Sequence, residues 1–140
     1  IYEAALHEAD AILLIAEILD SSEIVEFTDL SHKLGLEVLL ELHHEDQIDK
    51  IYEEVDLLGI NNRNLKKFQT NIQQSIDLIS KLPGDILKIS ESGIKGSRDI
   101  KLLKEVGYNG FLIGELFMKE KNPGKALHDL LDELNLEDEN

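Results

Sequence analysis

Five short apolar runs recur along the chain, separated by longer segments that mix charged and apolar residues. Within each run the apolar residues are mostly continuous rather than alternating, which is typical of parallel strands that are covered on both faces. The runs predict five strands: Ala11–Ala16, Val38–Leu42, Leu57–Ile60, Ile86–Ile89 and Phe111–Ile113.

The segments between the runs carry the start and stop signals of amphipathic helices. An acid or amide followed three residues later by Glu or Gln is a capping signal, and Gly or Pro marks the end of a helix. The chain also opens with apolar residues on one helical face, which predicts that the segment IYEAALHEAD (1–10) forms the last turns of a helix. The further predicted helices are Asp20–Lys33, Glu45–Val55, Asn71–Pro83, Ser97–Gly107 and Asn122–Leu134.

This alternation predicts an α/β fold with parallel strands, outer helices and right-handed crossovers. Two architectures remain, an open doubly wound sheet and a section of a (β/α)8 TIM barrel. The sequence holds neither G-x-G-x-x-G nor a P-loop, and polar residues follow successive strands at Glu41, Asn61 and Glu91, which favours the barrel. A complete barrel needs about 250 residues. Residues 1–140 are therefore predicted to form a partial TIM-barrel domain, its C-terminal five β/α units.

Composition narrows the classes of function. The formal net charge of −15 argues against binding to nucleic acid or to an anionic membrane surface. An anionic small substrate is compatible with it, because backbone N–H groups hold phosphate locally. The chain has no cysteine, which excludes disulfides, Cys-ligated zinc and a thiol nucleophile. With no apolar run of membrane-spanning length, the expected location is cytoplasmic.

Polar residues at the strand ends are the candidates for chemistry. Glu41 interrupts the apolar run VLLELH, where it can accept a proton or orient a catalytic amine, or else cap the next helix. The segment INNRNL places Asn61 and Arg63 after the third strand. Arg63 offers a planar donor fork suited to a carboxylate or phosphate, although a plain turn and a surface ion pair explain the same residues.

Two glycine-containing turns follow the last two strands. SESGIKG contains Glu91, Ser92 and Gly93, and IGE contains Gly114 and Glu115. Barrels build phosphate sites from such turns in their last two units, with N–H groups facing the anion. A carboxylate beside a bound phosphate is repulsive, so we expect the N–H of Glu115 to face the ligand and its carboxylate to point elsewhere.

Two further features have a less direct interpretation. His43 and His44 are adjacent and lack a third ligand at metal-binding spacing, so we expect them at a strand end and a helix start, and predict neither metal nor cofactor. Lys88 lies within the apolar run ILKIS, and the sequence assigns it no role.

The chain resembles indole-3-glycerol phosphate synthase, a (β/α)8 barrel of tryptophan biosynthesis. The segments ADAILLIA, LLELH, GINNRNL, ISESGI and GFLIGELFM occur in that family's order and spacing, across essentially the whole chain. The resemblance implies strands four to eight of the barrel. It also implies a carboxy-lyase that closes the indole ring of 1-(2-carboxyphenylamino)-1-deoxyribulose 5-phosphate with loss of CO2 and water.

The same resemblance implies roles for individual residues. Glu41 would assist acid–base chemistry beside the catalytic lysines, and Asn61 would orient the substrate and those groups. Arg63 would lie near the substrate's carboxylate. Glu91 and Ser92 would form the substrate-binding pair after the seventh barrel strand.

The phosphate cradle is implied at Gly93, Gly114 and the N–H of Glu115. Many members of the family have serine where this chain has Glu115. A side-chain contact to phosphate is therefore not expected here, whereas a backbone contact is.

The family's catalytic lysines come from the first and third barrel strands, which these residues do not match. We therefore expect the 140 residues alone to be inactive. The chain opens at Ile1 without a capping residue, which favours a fragment. An open section exposes two edge strands and an apolar interior, so the expected partners are the N-terminal part of the barrel or a second copy of the chain.

Two alternatives compete with this interpretation. One is another phosphate-binding barrel enzyme such as phosphoribosylanthranilate isomerase, which should lack the combination of LLELH and GINNRN. The other is a non-catalytic half-barrel that self-associates, which the mass in solution would reveal.

Overall fold

The computed structural model describes residues 1–64 and 69–138, and each predicted strand is present within one or two residues of its expected bounds. A two-residue antiparallel ribbon, which the apolar pattern does not predict, follows the third strand. The strands are β1 (Ala11–Ile15), β2 (Glu37–Leu42), β3 (Leu57–Asn61), β4 (Arg63–Asn64), β5 (Gln69–Thr70), β6 (Leu87–Glu91) and β7 (Gly110–Leu112).

The main sheet has five parallel strands in the order β1-β2-β3-β6-β7. Each new strand is added on the same side as the chain proceeds, whereas a doubly wound sheet reverses direction at a switch point. The order is therefore that of a barrel segment, which confirms the predicted architecture. In the part of the chain that the structure describes, β1 and β7 each pair with one neighbour.

Within residues 1–64 and 69–138, six α-helices accompany the strands, and capping explains where several of them begin and end. Asp20 and Glu23 form a capping box at the start of the second helix, with both hydrogen bonds at 2.9 Å. Gly107 ends the fourth helix in a left-handed conformation, with φ of 113°. The helices are α1 (Tyr2–Leu6), α2 (Ser21–Lys33), α3 (Gln73–Leu78), α4 (Ser97–Val106), α5 (Glu115–Met118) and α6 (Pro123–Asp138).

The predicted helix Glu45–Val55 is wrong. The segment forms only a 3₁₀ turn over Glu45–Lys50, because its side chains bond to the backbone of neighbouring elements. The Oε1 of Gln47 accepts from the His43 N–H at 2.7 Å. The Nζ of Lys50 donates to carbonyls of the turn after β1.

The helix predicted from Asn71 to Pro83 is shorter than expected. The Oδ1 of Asn71 accepts from the N–H of Gln73, so α3 begins there, and its last turn tightens to a 3₁₀ helix over Ile79–Lys81. None of the helices in 1–64 and 69–138 is both long and apolar enough to cross a membrane.

The two faces of the sheet are covered unequally. Alternate residues of β2 and β3, such as Leu40 and Leu58, are fully buried in the core formed with the helices. The opposite face is also apolar, but Leu13 is 41% exposed, Leu87 54% and Leu112 48%. In a closed barrel this second face lines the interior. The sheet therefore presents an apolar interior face to solvent.

Lys88 has a structural role that its sequence context left open. The side chain is 7% exposed, and its Nζ donates to the carbonyl oxygens of Gly84 at 3.4 Å and Ile86 at 2.9 Å. These carbonyls lie just before β6, at the opposite end from the polar strand ends. Lys88 therefore stabilises the backbone just before β6 and lies away from the candidate site.

The side chain of Asn62 ties β3 to α3 and β6. Its Nδ2 donates to the Oγ of Ser90 and the carbonyl of Glu91, both at 3.0 Å, and to the carbonyl of Ser92 at 3.2 Å. Its Oδ1 accepts from the N–H and the hydroxyl of Ser75. Because Asn62 is only 2% exposed, water cannot replace these partners.

We predict that Asn62→Ala lowers the free energy of unfolding by about 3 kcal/mol, because it leaves buried polar groups on three elements without partners. Asn71→Ala is the matched control, since its side chain caps an exposed turn and its loss should cost about 1 kcal/mol. Urea denaturation of both variants measures the difference. Equal losses in the two variants would contradict the role assigned to Asn62.

Candidate active site

Three predicted residues meet at the carboxyl ends of β2, β3 and β6. Asn61 pairs in register with Glu91, and its Nδ2 donates to the Oε2 of Glu41 at 3.0 Å. Glu41 is 7% exposed and Glu91 2% exposed, so both carboxyl groups lie inside the fold. The strand ends thus bring one amide and two carboxyl groups into a single cluster.

Gly59 makes room for this cluster. A Cβ built on Gly59 would lie 1.8 Å from the Oε1 of Glu91, closer than any side chain tolerates. Gly59 is also the register partner of Glu41. The glycine in the middle of β3 is therefore required because the side chain of Glu91 crosses over it.

The surroundings of the Glu91 carboxyl group favour its protonated form. Burial, together with the hydrogen bond and negative charge of Glu41, raises the pKa of Glu91 to about 8. At neutral pH the Glu91 carboxyl therefore keeps its proton beside Glu41. Such a pair contains both a proton donor and a proton acceptor, which general acid–base chemistry requires.

His43 is a neighbour of this cluster. Its sequence context predicted only that it lies at a strand end. It lies two residues after Glu41, so both side chains point to the same face. The ring is 3% exposed and its Nε2 lies 3.4 Å from the Oε1 of Glu41, but neither ring nitrogen has a hydrogen-bond partner. The described residues contain no group of three side chains arranged to hold a metal ion.

Arg63 and Glu115 form a second cluster beside the first. The Oδ1 of Asn61 accepts from the Arg63 N–H at 2.9 Å, and the Nη2 of Arg63 donates to the Oε2 of Glu115 at 2.8 Å. The Nζ of Lys119 donates to the other carboxylate oxygen of Glu115 at 2.5 Å. Lys119 and then Arg63 hold the pKa of Glu115 below its usual range. The Glu115 carboxylate is thus engaged by cations.

The two predicted glycine turns lie at the ends of paired strands. Ser92 and Gly93, after β6, have φ of 63° and 73°, and the Ser92 N–H donates to the carbonyl of Leu112 in β7 at 3.3 Å. A left-handed serine is uncommon and often marks a functional turn. A Cβ on Gly93 would lie 2.9 Å from the Cβ of Thr70, whereas one on Gly114 would meet nothing within 4 Å.

We predict that burying Glu91 in its protonated form makes stability fall as pH rises. The folded pKa of about 8 lies above the ordinary value of 4.5, so between these values only the folded state keeps the proton. Relative to Glu91→Gln, the wild-type chain should lose about 1.4 kcal/mol per pH unit between about pH 5 and about pH 8. Urea denaturation across this range measures the slope.

The control for this experiment is Glu37→Gln, which removes one carboxylate from the exposed beginning of β2. It should follow the wild-type slope. Parallel pH dependence of wild-type and Glu91→Gln would show that Glu91 is already ionised at neutral pH.

Comparison with known proteins identifies the family. The sequence model of indole-3-glycerol phosphate synthase matches residues 1–130. The Bacteroides thetaiotaomicron synthase is 44% identical over 131 residues, which cover 94% of this chain and 50% of that protein. A synthase of Legionella pneumophila is 44% identical over 132 residues, which cover 94% of this chain and 51% of that protein. The chain spans about half the length of the curated relatives it matches.

Solved structures agree on the fold. The chain is similar to 3-hexulose-6-phosphate synthase from Salmonella typhimurium, with a TM-score of 0.75 and 15% identity, over 96% of this chain and 67% of that one. It is also similar to KGPDC from Streptococcus mutans, with a TM-score of 0.60 and 17% identity, over 94% and 63%. At these identities the likeness concerns the fold alone, which is a partial barrel of five parallel strands alternating with helices. The family predicted from the sequence is confirmed by the match over residues 1–130, and the chain belongs to the indole-3-glycerol phosphate synthase family.

Proposed function

We propose that this chain provides the C-terminal five β/α units of an indole-3-glycerol phosphate synthase. In that role it closes the indole ring of 1-(2-carboxyphenylamino)-1-deoxyribulose 5-phosphate with loss of CO2 and water. The observation that carries the proposal is the buried pair of Glu41 and Glu91, which keeps one proton at the strand ends. A reaction that releases water needs a group that gives a proton and one that takes it.

Glu41, Asn61 and Glu91 have separate roles in the proposed reaction. Glu41 accepts a proton beside the catalytic lysines that the first and third barrel strands bring to the site. Asn61 holds the Oε2 of Glu41 at 3.0 Å and thereby orients the carboxylate toward the substrate. Glu91, protonated at neutral pH, binds the substrate as a hydrogen-bond donor.

The substrate's two anionic ends are bound on either side of this cluster. Arg63, with its planar donor fork, takes the carboxylate, and Ser92 contacts the substrate from its left-handed turn. Gly93, Gly114 and the N–H of Glu115 take the phosphate, since both turns follow paired strands of the barrel.

Glu115 makes this anion site weaker than a serine would. Its carboxylate lies next to the proposed phosphate position and already pairs with Arg63 and Lys119. A bound phosphate must therefore approach the negative charge of the Glu115 carboxylate. For Arg63 to bind the substrate's carboxylate, the Glu115 carboxylate must release it.

The apolar interior face supports a proposal for the partner that completes the site. Leu13, Leu87 and Leu112 are each between 41% and 54% exposed on this face. Exposed apolar surface of this kind is stabilised by burial against another element. We propose that the N-terminal part of the barrel covers it and brings the lysines to the carboxyl pair, and that an isolated chain covers it with a second copy.

We predict that the 140 residues alone form no indole-3-glycerol phosphate, and that mixing them with the N-terminal half of the Bacteroides relative restores turnover. In the mixture, Glu41→Gln should lower kcat by about 10²- to 10⁴-fold, as expected when an acid–base group is lost. Glu37→Gln, on the same strand but at its exposed end, should leave kcat unchanged. The product is measured by its indole fluorescence.

Three results would contradict this proposal. Turnover by the isolated chain would mean that the missing lysines are not needed. Full activity of Glu41→Gln would remove its acid–base role. Association with the N-terminal half without any turnover would leave a binding module in place of an enzyme.

We predict that Glu115→Ser tightens the binding of inorganic phosphate by roughly tenfold, because it removes a negative charge on the residue whose N–H is proposed to bind the phosphate. Glu120→Ser makes the same charge change just after α5 and should alter the affinity far less. Isothermal titration calorimetry at fixed ionic strength gives both dissociation constants. Weaker binding by Glu115→Ser would mean that the Glu115 side chain supports the phosphate site instead of repelling the phosphate.

A further inference from the structure

The backbone of His43 is held in place by two glutamine side chains. The Oε1 of Gln47 accepts from the His43 N–H at 2.7 Å, and the Nε2 of Gln74 donates to the His43 carbonyl at 2.5 Å. The same Gln74 amide also donates to the carbonyl of Asn61 at 3.0 Å. Two buried or partly buried glutamines thus fix His43 relative to the ends of β2 and β3.

The ring of His43 faces the carboxylate of Glu41, which is proposed to take a proton. The Nε2 of His43 lies 3.4 Å from the Oε1 of Glu41, and both side chains are buried. Burying an imidazole whose two nitrogens lack partners is unfavourable. Hydrogen bonds of catalytic groups are often long without ligand and shorten when the site is occupied.

We propose that His43 is a positioning residue for Glu41, whose Nε2–H holds the Oε1 of the carboxylate while Asn61 holds the Oε2. This inference rests on the proposed function, since it gives Glu41 the acid–base role. Held on both oxygens, the carboxylate keeps one orientation toward Glu91 and the substrate. His43 acts through Glu41 and does not contact the reacting atoms.

The proposal has a consequence for the titration of the carboxyl pair. The titratable groups that face this corner in the described part of the chain are Glu41 on the strand of His43, Glu91 from β6, Glu17 after β1, and the adjacent His44. The positive end of an N–H donor on Glu41 offsets part of the negative charge that opposes the ionisation of Glu91. Without that donor, Glu91 holds its proton to higher pH.

The test follows the glutamate side-chain carboxyl carbons by ¹³C NMR in the whole 140-residue chain as pH is raised. We expect His43→Leu to raise the pH at which Glu91 titrates by about one pH unit. His43→Gln, whose amide can place an N–H near the same position, should restore the wild-type value. His44→Leu, the same change at the exposed neighbouring histidine, should leave it unchanged.

Two outcomes would overturn the proposal. An unchanged Glu91 titration in His43→Leu would reduce His43 to a packing residue. A titration moved to lower pH would mean that the unprotonated Nε2 faces Glu41.

A second measurement needs no variant and therefore does not depend on whether His43→Leu folds. In ¹⁵N NMR spectra of the wild-type chain, the proposal requires the proton of neutral His43 to be on Nε2. A proton on Nδ1 alone would overturn it. Neither measurement uses substrate, so a failure of the proposed reaction and a failure of this inference are distinguishable.

Discussion

The protonated Glu91 beside Glu41 is the interaction on which the rest of the site depends. Two carboxyl groups share a nearly water-free space at the strand ends, and only a retained proton makes that arrangement tolerable. The position of Glu91 also constrains which residues can occupy the neighbouring strand β3. Gly59 is needed because the side chain of Glu91 lies over it, and Asn61 donates a hydrogen bond to the Oε2 of Glu41.

Two adjacent asparagines at the end of β3 have different partners because of strand geometry. Asn61 points into the barrel, where it contacts Glu41 and the backbone of Arg63. Asn62 points the other way, where it binds Ser75 and Ser90 and locks β3 against α3 and β6. The alternation of side chains along a strand therefore gives one residue to the carboxyl cluster and its neighbour to the scaffold that holds the strands together.

The apolar runs and caps were sufficient to predict the scaffold, because a buried parallel strand and a capped helix have local signatures. The Asp20–Glu23 capping box is such a case. The 3₁₀ turn at Glu45–Lys50 was not predictable, since the side chains that shorten it bond to distant backbone.

That Glu41, Asn61 and Glu91 lie together was predictable from their places at strand ends. The proton on Glu91, however, depends on burial that only the folded chain provides. The importance of His43 likewise emerges only from its distance to Glu41.

The most direct test of this account is the infrared spectrum of the wild-type chain at neutral pH, compared with that of Glu91→Gln. Solvent-exposed carboxyl groups are ionised under these conditions, so a protonated carboxylic acid stands out by its carbonyl stretching band. The account predicts this band in the wild-type spectrum, its absence in Glu91→Gln and its loss at alkaline pH. A wild-type spectrum with carboxylate bands alone would contradict the proton retained on Glu91 and, with it, the proposed role of Glu91 as a hydrogen-bond donor beside Glu41.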